Sequence, residues 1–167
     1  LDVIGTSDEL HPSPYRERPP ESHRTMTLVF SRERSLEGIR EALDARRTAA
    51  WFGNQVVGHP RELEALFSAC VEVRLPFHED GKSLWYEIRN LSELDIKLER
   101  VGHVGPAAMT LPALAVSVLK IERTAERPAS ALSYRAVNFL VGPEEPMTVN
   151  IELPVPTTVP AAAAASH

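Results

Sequence analysis

The pattern of hydrophobic and polar positions changes its period near Cys70. Before that residue, apolar side chains recur at helical spacing in two stretches, 36–46 and 60–70. After it, apolar and polar residues alternate, as in strands that bury one face and leave the other in water. The change predicts two structural units, residues 1–70 and residues 71–155.

The first unit is predicted to combine short strands with the two helices. Ser35 offers an N-cap for the first helix, and Pro60 suits the first position of the second. Residues 53–58 contain two glycines and are expected to form a connection. Apolar or β-branched runs predict buried strands at residues 1–4, 26–30 and 48–52.

The second unit has the pattern of a small β-sandwich of the immunoglobulin-like type. Clear alternation predicts strands with one wet face around residues 71–75, 84–88, 94–98 and 147–153. Residues 114–121 and 132–141 are apolar on both faces and are expected to be central strands. A slip of phase after Ala136 predicts a β-bulge. The expected fold class is therefore α+β, and residues 156–167 are expected to be a disordered Pro/Ala tail.

Composition narrows the classes of function. The chain has 167 residues and a net charge of −5, so no basic footprint indicates a nucleic-acid partner. Its apolar runs are too short to span a bilayer. Its one cysteine, Cys70, excludes an intrachain disulfide and suits a buried small hydrophobe better than a nucleophile.

No complete catalytic or metal-binding motif occurs, and the six histidines are scattered. One cluster is notable: Asp8 and His11 follow the first expected strand. Enzymes built on α/β-barrels place ligands just past the carboxyl ends of their strands. A solvated loop is the alternative, and spacing alone favours it, because short Asp and His pairs are common by chance.

Three stretches resemble the polymerase-and-histidinol-phosphatase (PHP) family of metal-dependent phosphoesterases. Residues 5–11 resemble its closing G-x-S-D-x-H motif, although two residues rather than one separate Asp8 from His11. Residues 23–54 resemble a bacterial, Sphingobium-type phosphodiesterase subgroup. Residues 134–141, followed by Pro143, resemble the β-rich domain that follows the barrel in that subgroup.

The resemblance implies that residues 1–70 are the C-terminal edge of a PHP barrel. Asp8 and His11 would then be metal ligands, and the other ligands would lie upstream of this chain. The implied cofactors are divalent zinc, manganese or iron ions in the parent protein, with none expected in this chain. His23 and Arg24 are candidates for binding phosphate; a loop arginine paired with an acidic neighbour is the alternative for Arg24.

Two functions remain open from the sequence. The chain is the C-terminal part of an enzyme that hydrolyses phosphomonoesters or phosphodiesters and is inactive alone, or it is a non-catalytic β-sandwich accessory or interaction module. A third option is that the β-domain only covers one side of the barrel and stabilises it. The expected partners are a missing N-terminal barrel segment or a second copy of the chain, with a phosphate ester as the parent's substrate. If the first unit is an isolated barrel edge, its strands lack neighbours; alternatively, its helices pack on the sandwich in one α+β unit. A soluble bacterial protein is expected, cytoplasmic or exported.

Overall fold

The structure, a computed structural model, describes residues 3–6, 24–122 and 130–155. These residues form two helices and eleven strands, which confirms the α+β class. In chain order the elements are β1 Met26–Val29, α1 Leu36–Asp44, β2 Thr48–Phe52, β3 Gln55–Gly58, α2 Pro60–Cys70, β4 Val71–Val73, β5 His78–Glu79, β6 Ser83–Asn90, β7 Ile96–Arg100, β8 Ala108–Leu111, β9 Val116–Glu122, β10 Ala131–Gly142 and β11 Glu145–Glu152.

The strands form two sheets around one core. The larger sheet has the order β1-β2-β3-β10-β7-β8, with β11 also paired to β10. The smaller sheet has the order β4-β6-β5, with β9 paired to β6. Tyr86 and Ile88 from the smaller sheet join Leu98 and Tyr134 from the larger one in the same buried cluster. The predicted β-sandwich is therefore present.

Strand β10 joins the sandwich to the first unit. It pairs with β11 on one side and with β7 through residues 134–136 on the other. Farther along, Phe139 and Leu140 pair in parallel with Val56 and Val57 of β3. The register with β11 shifts between Ala136 and Leu140, so the predicted bulge is confirmed. The early strands thus belong to the same continuous sheet as the sandwich.

The bulge places the Asn138 amide where the two parts of the sheet meet. Its Nδ2 donates to the carbonyl oxygens of Asn54 at 2.7 Å and Asp95 at 2.9 Å. Its Oδ1 accepts a bond from the Lys97 amide at 3.0 Å. Asn54 and Asp95 are also bonded directly to each other. We call Asn54, Asp95 and Asn138 the Asn138 clamp. Their hydrogen bonds satisfy backbone groups that the irregular pairing leaves without ladder partners.

Several expectations for individual strands were wrong. Residues 55–58 form β3, because Gly53, with a φ of 53°, lets the chain reverse sharply after β2. Strand β8 was not expected. Strand β9 is not central: Val116 and Val118 are 53% and 63% exposed, and its only neighbour among the described residues is β6.

The sequence left open whether the strands of the first unit would lack neighbours, and in the structure they have them. Strands β1, β2 and β3 form an antiparallel set that continues into β10. Helix α2 packs inward, with Leu63 and Phe67 in the common core. The division of the chain at residue 70 remains a prediction, since the larger sheet contains strands from both sides of it.

Candidate functional site

The segment that leads to Asp8 is held against β1 by one side chain. The Gly5 amide donates to the Thr27 hydroxyl at 3.0 Å, and this hydroxyl donates back to the Gly5 carbonyl oxygen at 2.9 Å. Val3 to Thr6 form no strand, so the expectation of a strand over 1–4 was wrong for the residues described. At this edge of the sheet, the Thr27 hydroxyl makes the hydrogen bonds to Gly5 that the backbone of a paired strand would otherwise make.

Gly5 fits this place because it has no side chain. A Cβ there would lie 2.7 Å from the Thr25 methyl carbon, 2.9 Å from the Met26 carbonyl oxygen and 3.1 Å from the Ala50 Cβ. Two of these atoms are rigid parts of β1 and β2, so a larger residue would have to displace the segment. Gly5 and Thr27 therefore fix the chain three residues before Asp8.

The structure locates only part of the predicted site. Asp8, His11 and His23 lie outside the described residues, and their roles stay predictions. Arg24 is half-buried and lies two residues before β1, the strand to which Gly5 is anchored. The described residues thus bring Arg24 and the Gly5 anchor to the start of the same strand, which sequence spacing did not reveal.

A metal centre needs several donor side chains close together. Within residues 3–6, 24–122 and 130–155, no three His, Cys, Asp or Glu side chains lie close enough to hold an ion together. A catalytic centre requires at least three protein ligands on a rigid scaffold. The described residues therefore do not fit a metal centre by themselves, and Asp8 and His11 would add only two ligands.

Two other side chains, Cys70 and Trp85, have neighbours that bear on their possible roles. Burial raises the pKa of the Cys70 thiol, and a hydrogen bond with Ser92 offsets this only in part. A thiol held neutral in the core suits packing rather than nucleophilic attack. The Trp85 ring is engaged by His78, at 4.7 Å between ring centroids, and by the Lys120 ammonium at 5.1 Å. The Trp85 ring therefore already has two neighbours in the fold.

An open cleft of about 470 Å³ lies between α2, β4 and β11. Its lining includes Phe67, Val71, Val73 and Ile151, and among the described residues Glu152 is the one titratable side chain there. A cleft with a single charged group lacks the converging polar groups of an active site.

Comparisons with known proteins agree with this description. Residues 71–152 match a family model of an Ig-like domain, DUF5001. The fold is also similar to a crystal structure from Bacteroides vulgatus, a two-domain protein containing a predicted PHP-like metal-dependent phosphoesterase. The TM-score is 0.68 and the identity 33%, over 78% of this chain and 39% of that one. A search of the curated proteins gave no match.

These likenesses define an Ig-like domain over residues 71–152 and a relationship that extends beyond it. Because 78% of 167 residues is about 130, the similarity to the Bacteroides protein must include residues outside the 82 of the Ig-like match. The chain spans 39% of the length of that two-domain protein. In the described part of the chain, no helix combines the length and the apolar character needed to cross a membrane.

Proposed function

We propose that this chain is the C-terminal, accessory part of a bacterial metal-dependent phosphoesterase and does not catalyse hydrolysis alone. The observation that carries the proposal is the 33% identity to a two-domain protein with a PHP-like domain, over more of the chain than the Ig-like domain. The parent would hydrolyse phosphomonoesters or phosphodiesters. Its subgroup would be the Sphingobium-type phosphodiesterases, which residues 23–54 resemble.

In this proposal the anchored N-terminal segment contributes to the parent's metal site. Asp8 and His11 would be ligands, and Gly5 and Thr27 would position them from β1. His23 and Arg24 would contact the phosphate, with Arg24 approaching from the same strand. Divalent ions at such a site activate water and stabilise the charge on the phosphoryl oxygens. The remaining ligands would come from the PHP-like domain.

Helix α1 supplies a surface for that domain. Leu36, Ile39 and Leu43 are 61%, 43% and 43% exposed and follow one another at positions i, i+3 and i+7. Residues at this spacing form one apolar stripe, which amphipathic helices normally bury. We define these three residues as the α1 stripe. More than half of the Bacteroides protein lies outside the region similar to this chain, and the PHP-like domain in the parent is the proposed occupant.

The test uses bis(p-nitrophenyl) phosphate as a diester and p-nitrophenyl phosphate as a monoester, with Zn²⁺ or Mn²⁺ added. The isolated chain is expected to give no turnover that a chelator removes. The whole parent polypeptide is expected to be active and to lose activity in an Asp8→Ala, His11→Ala variant. An Asp44→Ala, His103→Ala variant, with the same residue types removed at exposed positions, should keep full activity.

Two results would overturn the proposal. Chelator-sensitive turnover by the isolated chain would contradict its role as an accessory part. Full activity of the parent after loss of Asp8 and His11 would remove these residues from the site.

A purely non-catalytic interaction module is the second candidate function. The observation that favours it is the Ig-like match over residues 71–152, within which Ile88, Ile96, Leu98 and Tyr134 are fully buried. If the parent polypeptide lacked phosphoesterase activity on both substrates, this candidate would replace the first.

A further inference from the structure

A second cavity, of about 290 Å³, lies between the end of β1 and the first turns of α2. It differs from the larger cleft because its lining is rich in arginine. The lining residues are Phe30, Ser31, Arg32, Arg47, Arg61, Glu62 and Ala65. The three arginines are far apart in the sequence, and the fold brings them together around one space.

Arg47 is fixed in place by its own hydrogen bonds. Its Nε donates to the Phe30 carbonyl oxygen at 3.0 Å, and its Nη1 donates to the Glu41 carboxylate at 2.8 Å. Its Nη2 also donates to Glu41. Three of its five N–H groups are used, so two remain for another acceptor. The hydrogen bond to Glu41 raises the pKa of Arg47, so its positive charge is permanent.

Arg32 and Arg61 flank the cavity and are exposed. Among the described residues, neither forms a salt bridge. Counting Arg32, Arg47 and Arg61 against Glu41 and the buried Glu62, the cluster has a charge of +1 in a chain whose net charge is −5. The excess positive charge comes from the exposed side chains of Arg32 and Arg61.

The N-terminus of α2, beside the same cavity, also favours negative charge. The helix begins at Pro60, which has no N–H, and the side chain of His59 makes no capping bond. The first amides of a helix lack acceptors within the helix and favour negative charge. Glu62 in the first turn of α2 already places one negative charge there, so the three arginine side chains around one space are the main observation.

We propose that this cavity binds an oxyanion of the phosphate type. Arg32 and Arg61 bind the oxygens, as guanidinium groups do in a bidentate manner, and Arg47 holds a fixed charge beside them. The cavity volume of about 290 Å³ is at the lower end of small-molecule pockets, which leaves room for a phosphate group with a small substituent. The site contains none of Asp8, His11, His23 and Arg24, so it stands independently of the proposed hydrolysis.

The test is isothermal titration of the whole chain at low ionic strength with inorganic phosphate, phenyl phosphate and acetate. Inorganic phosphate is expected to bind with a Kd of about 1 mM, and an Arg32→Ala, Arg61→Ala variant to bind at least about tenfold more weakly. The matched control is Arg74→Ala, which removes an exposed arginine paired with Glu72 at 3.7 Å. This control should bind as the unmodified chain does. Tighter binding of phenyl phosphate would identify an ester as the ligand, and equal binding would identify free phosphate.

Three outcomes would overturn the proposal. They are no phosphate binding by the unmodified chain, equal binding by the Arg32, Arg61 double variant, and acetate binding as tightly as phosphate. A thermal melt of each variant shows whether it is folded; because both arginines are exposed, we expect unchanged melting temperatures.

Discussion

The two helices of this chain have similar amphipathic patterns but very different surroundings. Helix α2 buries Leu63, Phe67 and Cys70, and Phe67 meets Phe139 of β10 edge-on with ring centroids 5.9 Å apart. Helix α1 buries only Ala42 and leaves the α1 stripe largely exposed. An apolar stripe shows that a helix is suited to a partner surface but not which surface it is. For α2 that surface is the sandwich, and for α1 we propose that it lies in another domain.

The largest difference in stability between the two helices is expected where α2 packs on the sandwich. Phe67→Ala should destabilise the chain by about 3–5 kcal/mol, because it leaves a cavity beside Phe139. Ile39→Ala, the matched truncation on α1, should cost less than about 1 kcal/mol because Ile39 is already partly in water. Urea unfolding measures both changes. Equal losses would mean that α1 is as much a part of the core as α2.

The second prediction concerns the connection between the early strands and the sandwich. Asn138→Leu should cost about 2–3 kcal/mol, since it removes the partner of the Asn54 carbonyl and the Lys97 amide and one of the two donors to the Asp95 carbonyl. The Lys97 amide loses its acceptor directly and should exchange faster, and amide exchange in β3 should accelerate more than in the rest of β7. Asn150→Leu is the control, because Asn150 is exposed and bonds only with the Ser133 hydroxyl. Unchanged exchange in β3 would contradict the role given to the Asn138 clamp.

A smaller effect is expected at Tyr134, which is fully buried in the common core. Its hydroxyl donates to the Pro106 carbonyl oxygen at 3.0 Å, so Tyr134→Phe should cost about 1 kcal/mol at neutral pH. Burial raises the pKa of Tyr134, which means that the folded state holds this proton more tightly than the unfolded state.

The sign of the pH dependence follows from that shift. The stability due to the protonated Tyr134 is complete below a pH of about 10 and is lost as the pH rises through the folded-state pKa. Denaturant unfolding from pH 7 to pH 11 should show a steeper alkaline loss in the unmodified chain than in Tyr134→Phe. Parallel curves would exclude Tyr134 as a source of the alkaline loss.

The smallest effect on stability is expected from the α1 stripe itself. Replacing Leu36, Ile39 and Leu43 together with glutamine should change the free energy of unfolding by less than about 1 kcal/mol, because all three side chains are substantially exposed in the isolated chain. A loss of several kcal/mol by urea unfolding would show that the stripe supports this fold rather than an external contact.

Much of the fold could be predicted from the sequence where one period extends over several residues. The pattern was clear for α2 and for strands such as β6 and β11, and the phase slip after Ala136 marked the bulge. Strand β3 was missed because it is four residues long, and its pairing with β10 depends on contacts about 80 residues away. Strand length and local composition cannot reveal such pairing.

Less of the candidate site could be predicted from the sequence. The motif resemblance named Asp8 and His11, but the need for glycine at position 5 follows from close contacts with β1 and β2 that only the fold shows. The arginine cavity could not be found from spacing, because Arg32, Arg47 and Arg61 belong to separate segments. In each case, side chains from different segments meet only after the sheet and helices are assembled.

The most direct test of the proposed docking measures binding between this chain and the remainder of the parent polypeptide, supplied as a separate molecule. The account predicts a one-to-one complex that the glutamine triple variant of the α1 stripe fails to form, while Val116→Gln, Val118→Gln on the exposed face of β9 leaves it intact. Equal binding by the triple variant would contradict the account, as would a dimer of this chain that uses the stripe and excludes the remainder.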